Sequence, residues 1–491
     1  MILDDILKIL KEKSNNKAYT INNQSYSYKE LYKFICNINQ FLITENKEKR
    51  PVVVYGHKEI YMKATFLACS FAGMTYVPID ESMPEDRVEQ IIEQIKPSII
   101  IGKDISKEKI YNIMNNNNYT EIEDIQLKPN DIYYIIFTSG STGKPKGVKV
   151  TYQNLNSCIN WLKDITKAEK EIILNQANFS FDLSVADLYL SLVSESEHFI
   201  INELSNFNLN EIFEQLKLSN ANLIVATPSF IDLLLIDRKF GKELMPNLHT
   251  ILFCGEKLQK STVNKLYLRF DNNINIINSY GPTECTFAVT SIEINKDIAK
   301  NNDIPIGVPK NDVNIYIVDQ NMNILKDGEN GEILIVGESV SDGYVGNIAN
   351  KSFFYYNGKR AYLTGDIGYL ENGILYYKER KDKQIKFKGY RIELTDIEKN
   401  LQELKYIDRA VVIPNTNECN KVLSIIACVS LKDGEEITEL QIKQDLQKKI
   451  PEYMCPQIKI IKEFPLNANG KCDEKRLLEE VKNGRRDNRN Y

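Results

Sequence analysis

The sequence predicts an α/β protein: a large N-terminal domain of βαβ sheets with an added β-rich lobe, residues 1–381, then a small α+β C-terminal domain, residues 382–491. Three observations predict it. Apolar strands alternate with amphipathic helices from residue 51 to 102 and again beyond 222, the mark of parallel sheets covered on both faces. From about residue 305 to 380 the texture changes to short strands around Gly-centred turns, as in "LKDGENGEILIVG" and "YLENGILYYKER". After "RKDKQIKFKGYRIEL" it changes again, to strands and helices in about a hundred residues. A chain of 491 residues is in any case too long for one core.

Taken in order, "PVVVYG" reads as a buried strand, "KEIYMKATFLACSFAG" as a helix ending on Gly73, and "TYVPID" as a second strand. "PEDRVEQIIEQI" opens with Pro84 and acids, as a helix start should, and "SIII" returns as a strand. The pattern recurs in "NLIVATP", "SFIDLLLID", "TILFCG" and "INIIN", while "NIMNNNNYT" reads as a low-complexity surface loop. In the last unit the strands "AVVIP" and "SIIACVS" alternate with the helices "LTDIEKNLQEL" and "LQIKQDLQKKI". The boundary falls near Asp382, in a run of charges with no apolar anchor.

Composition narrows the class. The chain is 43% hydrophobic and 26% charged, ordinary for a soluble protein, and its net charge of −5 argues against nucleic-acid or anionic-membrane binding. The start carries acids where a signal peptide would be basic, and no apolar run approaches the roughly 20 residues that span a bilayer. Nine cysteines without a C-x-x-C pair read as reduced thiols, so a cytoplasmic protein is expected. Three histidines leave little material for a His-based triad or metal site.

"YIIFTSGSTGKPKGVKV", residues 134–150, breaks from an apolar strand into glycines, hydroxyls and lysines. Backbone N–H groups and hydroxyls can wrap phosphate oxygens, glycines let the backbone approach, and lysines supply charge. It is not a Walker A loop, and on this pattern alone a solvated Gly-rich turn fits equally well. Four further motifs follow: "NSYGPTE" (278–284), "YLTGDIG" (362–368), "KERKDKQIKFKGYRIEL" (378–394) and "NANGK" (467–471). In order and spacing the five resemble the signatures of the adenylate-forming superfamily, which includes acyl-CoA synthetases, luciferases and the adenylation domains of peptide synthetases.

That resemblance implies the adenylate-forming fold with a mobile C-terminal domain, and ATP and Mg²⁺ as cofactors. It implies a phosphate loop of Thr138, Ser139, Gly140, Ser141, Thr142, Gly143 and Lys144. It sets the adenine against Tyr280 and the backbone of Asn278, Ser279, Gly281, Pro282 and Thr283, with Thr283 also on phosphate. Glu284 becomes the Mg²⁺ ligand and a catalytic residue; alone it reads as a solvated loop carboxylate. Asp366 would accept both ribose hydroxyls, with Tyr377, Lys378, Glu379 and Arg380 on the nucleotide side. Lys471 would be catalytic, stabilising the α-phosphate as a carboxylate displaces pyrophosphate. Asp382 matches the hinge about which the small domain swings between half-reactions, and "KFKGYR" around Gly389 would then face the acyl pocket.

The acid being activated is narrowed by "FSFDLSVADLY", residues 179–189. Asp182 matches the aspartate that pairs with the substrate ammonium in amino-acid-activating members; its other reading is a helix N-cap. "VYGHKEIYM", "LNQANFSFDLSVADLYLSL", "TPSFIDLLL" and "ILFCGEKL" resemble the stand-alone members that activate D-alanine for the D-alanylation of teichoic acids. The resemblance implies D-alanine as substrate and a separate phosphopantetheine-bearing D-alanyl carrier protein as acceptor, since no carrier segment follows "NANGK". Cys254 matches a cysteine that crowds the acyl pocket in favour of a small D-amino acid, and also reads as a buried small hydrophobe. The run "CTFAVT" departs from that pattern by setting Phe287 at a substrate-touching valine. Pointing inward, it would favour glycine or alanine; pointing away, it would change nothing. The rival readings are a stand-alone activating enzyme for another small amino acid, a catalytically silent nucleotide-binding protein, and an acyl-CoA synthetase, the last disfavoured by Asp182.

Overall fold

The structure, a computed structural model, describes residues 1–140, 143–201, 209–300, 303–346, 351–417, 421–465 and 472–487. The chain divides into two units. Met1–Glu81, Ile92–Phe137 and Gly147–Lys381 form the first; Ser82–Ile91, Thr138–Lys146 and Asp382–Tyr491 form the second.

The first unit contains a nine-stranded sheet whose central strands are parallel: Asn275–Tyr280, Thr250–Phe253, Leu223–Ala226, Ile172–Asn175, Glu197–Ile200 and Lys17–Ile21. Thr250–Phe253 and Leu223–Ala226 are buried at every position, which is why they read as unbroken apolar runs. A five-stranded sheet is ordered Ile99–Ile101, Val52–Gly56, Tyr76–Asp80, Ile132–Thr138 and Lys146–Thr151. Two largely apolar helices, Ile60–Ala72 and Leu183–Val193, are buried on every residue, Lys63 and Asp187 included. The first stops at Gly73, whose φ of 72° no β-carbon favours. An antiparallel lobe of Val313–Val318, Gly331–Gly337, Phe353–Tyr356, Lys359–Glu371 and Ile374–Arg380 follows.

The "NIMNNNNYT" expectation needs correction at its start. Asn112–Met114 close a helix, Lys107–Met114, because Ile110 and Met114, four residues apart, share its buried face. Among the described residues no helix is long and apolar enough to cross a membrane.

In the second unit the hairpin Gln384–Phe387/Tyr390–Glu393 leads into the helix Leu394–Gln402. A sheet of Ile407–Thr416, Val422–Leu431 and Gln457–Ile460 follows, with the helix Glu439–Gln447. Ile397, Leu401, Val412, Ala427, Ile442 and Leu446 share its core. Arg87 and Asp396 form an ion pair of 2.6 Å with side chains 4% and 0% exposed.

Candidate active site

In the first unit, the strand Asn275–Tyr280 ends in "GPTE", and in open parallel sheets ligands bind beyond the carboxyl ends of strands. Asn278 and Ser279 are locked by hydrogen bonds to the carbonyls of Pro305 (2.7 Å) and Phe253 (2.7 Å). Gly281 is obligatory: a β-carbon there would lie 2.5 Å from the Ala288 Cα. The loop it allows returns so that the Val289 N–H donates to the Tyr280 carbonyl at 2.8 Å. Thr286 and Phe287 take φ of 59° and 70°, a left-handed pair that costs about 1–3 kcal/mol per residue and is typical of functional sites.

Asp366 follows Gly365, itself at φ 75°, and lies directly opposite Arg380 on the neighbouring strand. Arg380 Nη1 donates to Asp366 Oδ1 at 3.0 Å and to the Thr364 carbonyl at 3.1 Å. The Tyr280 hydroxyl donates to Oδ2 at 2.6 Å. Burial, together with this carboxylate, holds the Tyr280 hydroxyl well above its ordinary pKa, so it stays a neutral donor. An ionised carboxylate has about four lone-pair sites. Asp366 therefore keeps acceptor capacity for a vicinal diol.

Glu284 sits on the single turn Thr283–Cys285 and is 1% exposed; the Tyr344 hydroxyl donates to its Oε1 at 2.5 Å. Among the described residues no cluster of three His, Cys, Asp or Glu could hold a metal. A single buried carboxylate suits an ion held mainly by phosphate oxygens and water, the habit of Mg²⁺. Tyr344 was missed in sequence; only its sixty-residue-distant contact with Glu284 marks it.

Asp182 occupies the N-cap position of Leu183–Val193, yet its side chain makes no capping bond. The Ser184 hydroxyl bonds the Phe181 carbonyl (2.7 Å) in that first turn. Asp182 is buried, and it lies near Cys158, whose thiol burial pushes up to about 12, with Cys254 and Asp182 adding to the rise. The Cys254 thiol faces the Phe287 carbonyl at 3.7 Å. Cys254 and Phe287 thus meet directly, and both belong with Cys158 to one buried apolar cluster. Cys158 was also missed. Leu155, Cys158, Ile159 and Leu162 have the spacing of an inward helix face, which does not say what that face meets.

Tyr377 packs against the lobe core, while Lys378 pairs with Asp303 at 3.3 Å and lies over the Tyr369 ring; Glu379 is exposed.

The phosphate-loop candidates Thr138, Ser139, Gly140, Gly143 and Lys144 belong to the second unit; Ser141, Thr142 and Lys471 lie outside the described residues. Ser139 Oγ donates to the Arg391 carbonyl (2.9 Å) and accepts the Glu393 N–H (3.1 Å). Arg87 Nη1 donates to the Gly143 carbonyl at 3.2 Å and Nη2 to Asp396 Oδ1 at 2.6 Å. Lys144 is exposed, and Asp382 Oδ1 accepts the Gln384 N–H at 3.1 Å.

Comparison with known proteins gives a consistent result. Residues 8–345 match the family model described as AMP-binding enzyme, and residues 396–471 match the AMP-binding enzyme C-terminal domain. The D-alanine–D-alanyl carrier protein ligase of Bacillus licheniformis is 38% identical, covering 98% of this chain and 99% of its own. The protein of the same name from Listeria innocua is 41% identical, over 94% and 96%. Among solved structures, the Vibrio cholerae adenylation domain AlmE, in complex with glycyl-adenosine-5'-phosphate, superposes with a TM-score of 0.84 at 20% identity, covering 98% of each chain. It supports the adenylate-forming fold, an α/β large domain followed by a smaller C-terminal one. The chain belongs to the AMP-binding enzyme family and, within it, to the group of the D-alanine–D-alanyl carrier protein ligases.

Proposed function

We propose that this enzyme activates D-alanine with ATP to D-alanyl-adenylate and pyrophosphate, then transfers the D-alanyl group to the phosphopantetheine thiol of a separate carrier protein, releasing AMP. The observation that carries it is identity of 38% and 41% with ligases of that name over nearly the whole chain. The local chemistry agrees with the reading. A buried carboxylate at a helix start, with no capping bond, suits a substrate ammonium. Cys254 and Ala288, small and buried in the same apolar cluster as Leu183, suit a methyl side chain.

In this reading the substrate carboxylate attacks the α-phosphorus, the pyrophosphate oxygen leaves, and Lys471 balances the charge that develops there. Asp366 and Arg380 hold the ribose side, and the loop from Thr138 to Lys144 binds the departing phosphates. Glu284 is the residue that would hold Mg²⁺, which when bound neutralises phosphate charge. Asp382 serves as the hinge between residues 1–381 and 382–491.

Pyrophosphate exchange over a panel of D- and L-amino acids tests the proposal: D-alanine should give the highest kcat/KM, and a different preferred amino acid would overturn it. Two variants sharpen the test. Asp182→Asn should raise the KM for D-alanine by roughly 10–150-fold, the worth of about 1.5–3 kcal/mol for a hydrogen bond to a charged group. An unchanged KM would remove Asp182 from the ammonium site. Cys254→Ala should narrow the preference for D- over L-alanine, by opening space beside the Phe287 carbonyl. An unaltered enantiomer ratio would take Cys254 out of the pocket.

A further inference from the structure

Lys58, in "VYGHKEIYM", and Asp187, in "FSFDLSVADLY", have no part in the chemistry above, yet they are 1% and 0% exposed. Burying an ammonium or a carboxylate is costly unless each is hydrogen-bonded. The partners they have are therefore informative.

Lys58 adopts φ 58°, left-handed for a residue with a side chain. Its ammonium donates to the Gln176 carbonyl at 2.8 Å and the Ile201 carbonyl at 2.9 Å. Those residues stand immediately past the paired parallel strands Ile172–Asn175 and Glu197–Ile200. Asp187 lies on the buried helix that begins after Asp182. Its two oxygens both accept from Asn175 Nδ2, at 3.0 and 3.1 Å, and His198 Nε2 meets Oδ1 at 3.0 Å. A second buried amine, Lys63, reaches Ser191 Oγ of the same helix at 3.3 Å and the Ala18 carbonyl at 3.4 Å. Burial pushes Lys58 down to about 8 and Lys63 to about 7, and holds His198 well below its ordinary value. His198 is therefore neutral; its Nε2 lies against Asp187 and its Nδ1 has no partner.

The segment 176–182, with Phe179, Phe181 and Asp182, is thus fastened at both ends. Lys58 holds it at Gln176, and Asn175 with His198 holds the following helix at Asp187. We propose that Lys58 and Asp187 are positioning residues for Asp182, fixing its carboxylate where the substrate ammonium binds. The proposal rests on the ammonium reading of Asp182 given above. A carboxylate free to wander would still attract the ammonium, but would hold the reacting carboxyl group less often in line.

The test is pyrophosphate exchange by Lys58→Met with D-alanine and ATP varied in turn. The KM for D-alanine should rise about tenfold while that for ATP stays within about twofold, and Lys58→Arg should recover part of the loss. An unchanged KM for D-alanine, or a parallel rise for both substrates, would overturn the proposal. Should Lys58→Met fail to fold, Asn175→Ala, which removes the amide from Asp187 and leaves His198 there, is read by the same criteria. Asp182→Asn run alongside separates the two ideas. If it leaves the KM for D-alanine unchanged, the ammonium reading falls and the positioning role with it. If it raises that KM while Lys58→Met and Asn175→Ala do not, only the positioning role falls.

Discussion

Lys471→Ala is expected to slow D-alanyl-adenylate formation by about 10²–10³-fold, the scale of removing one transition-state charge partner. Transfer from preformed adenylate to the carrier thiol should proceed at the parent rate. Lys471 lies outside the described residues, so the expectation rests on charge and on its place in "NANGK". Attack at the α-phosphorus accumulates negative charge on phosphate oxygens, and a cation present only then accelerates the step without tightening ground-state binding. Thiol attack on the adenylate carbonyl releases AMP and makes no new bond at phosphorus, so it has less use for that cation. Pyrophosphate exchange measures the first half-reaction, and a single turnover with synthetic D-alanyl-adenylate measures the second. A folded variant that had lost both would contradict the division.

Asp366→Ala should destabilise the protein by about 3–5 kcal/mol, the usual effect of removing one partner of a buried ion pair. It would leave the Arg380 guanidinium, 11% exposed, and the buried Tyr280 hydroxyl facing a void. Denaturant unfolding would show the fall in midpoint at constant slope. Asp366→Asn keeps the shape and one acceptor oxygen, so it should lose less stability and still bind ribose poorly. A variant Asp366→Ala within about 1 kcal/mol of the parent would mean that the pair is worth no more than a surface salt bridge.

Much of the fold was legible because its strands are buried on both faces. "TILF" and "LIVA" have one environment on either side, so their composition alone identifies them. Gly73 closed its helix as read, and "TGD" and "SYGPTE" marked two sides of one cluster. Their meeting was not derivable from local pattern, since Tyr280 and Asp366 are 86 residues apart. The Lys58 and Asp187 supports were illegible for a different reason. Charged residues among apolar ones ordinarily read as solvent-facing, and only the fold shows that carbonyls and amides replace the water. Arg87 and Asp396, 309 residues apart, are the same case in the second unit.

On the proposed reading, polyphosphate and the Arg391 carbonyl are rivals for the same Ser139 hydroxyl. An incoming nucleotide exchanges with a tethered carbonyl oxygen, not with bulk water. The tether keeps that internal competitor at an effective concentration of roughly millimolar order or above. Apparent nucleotide affinity is then the intrinsic affinity scaled by the fraction of molecules whose loop has let go. Reciprocity follows: saturating nucleotide must weaken the hold of the Arg391 carbonyl on the loop by the same factor that this carbonyl weakens the nucleotide.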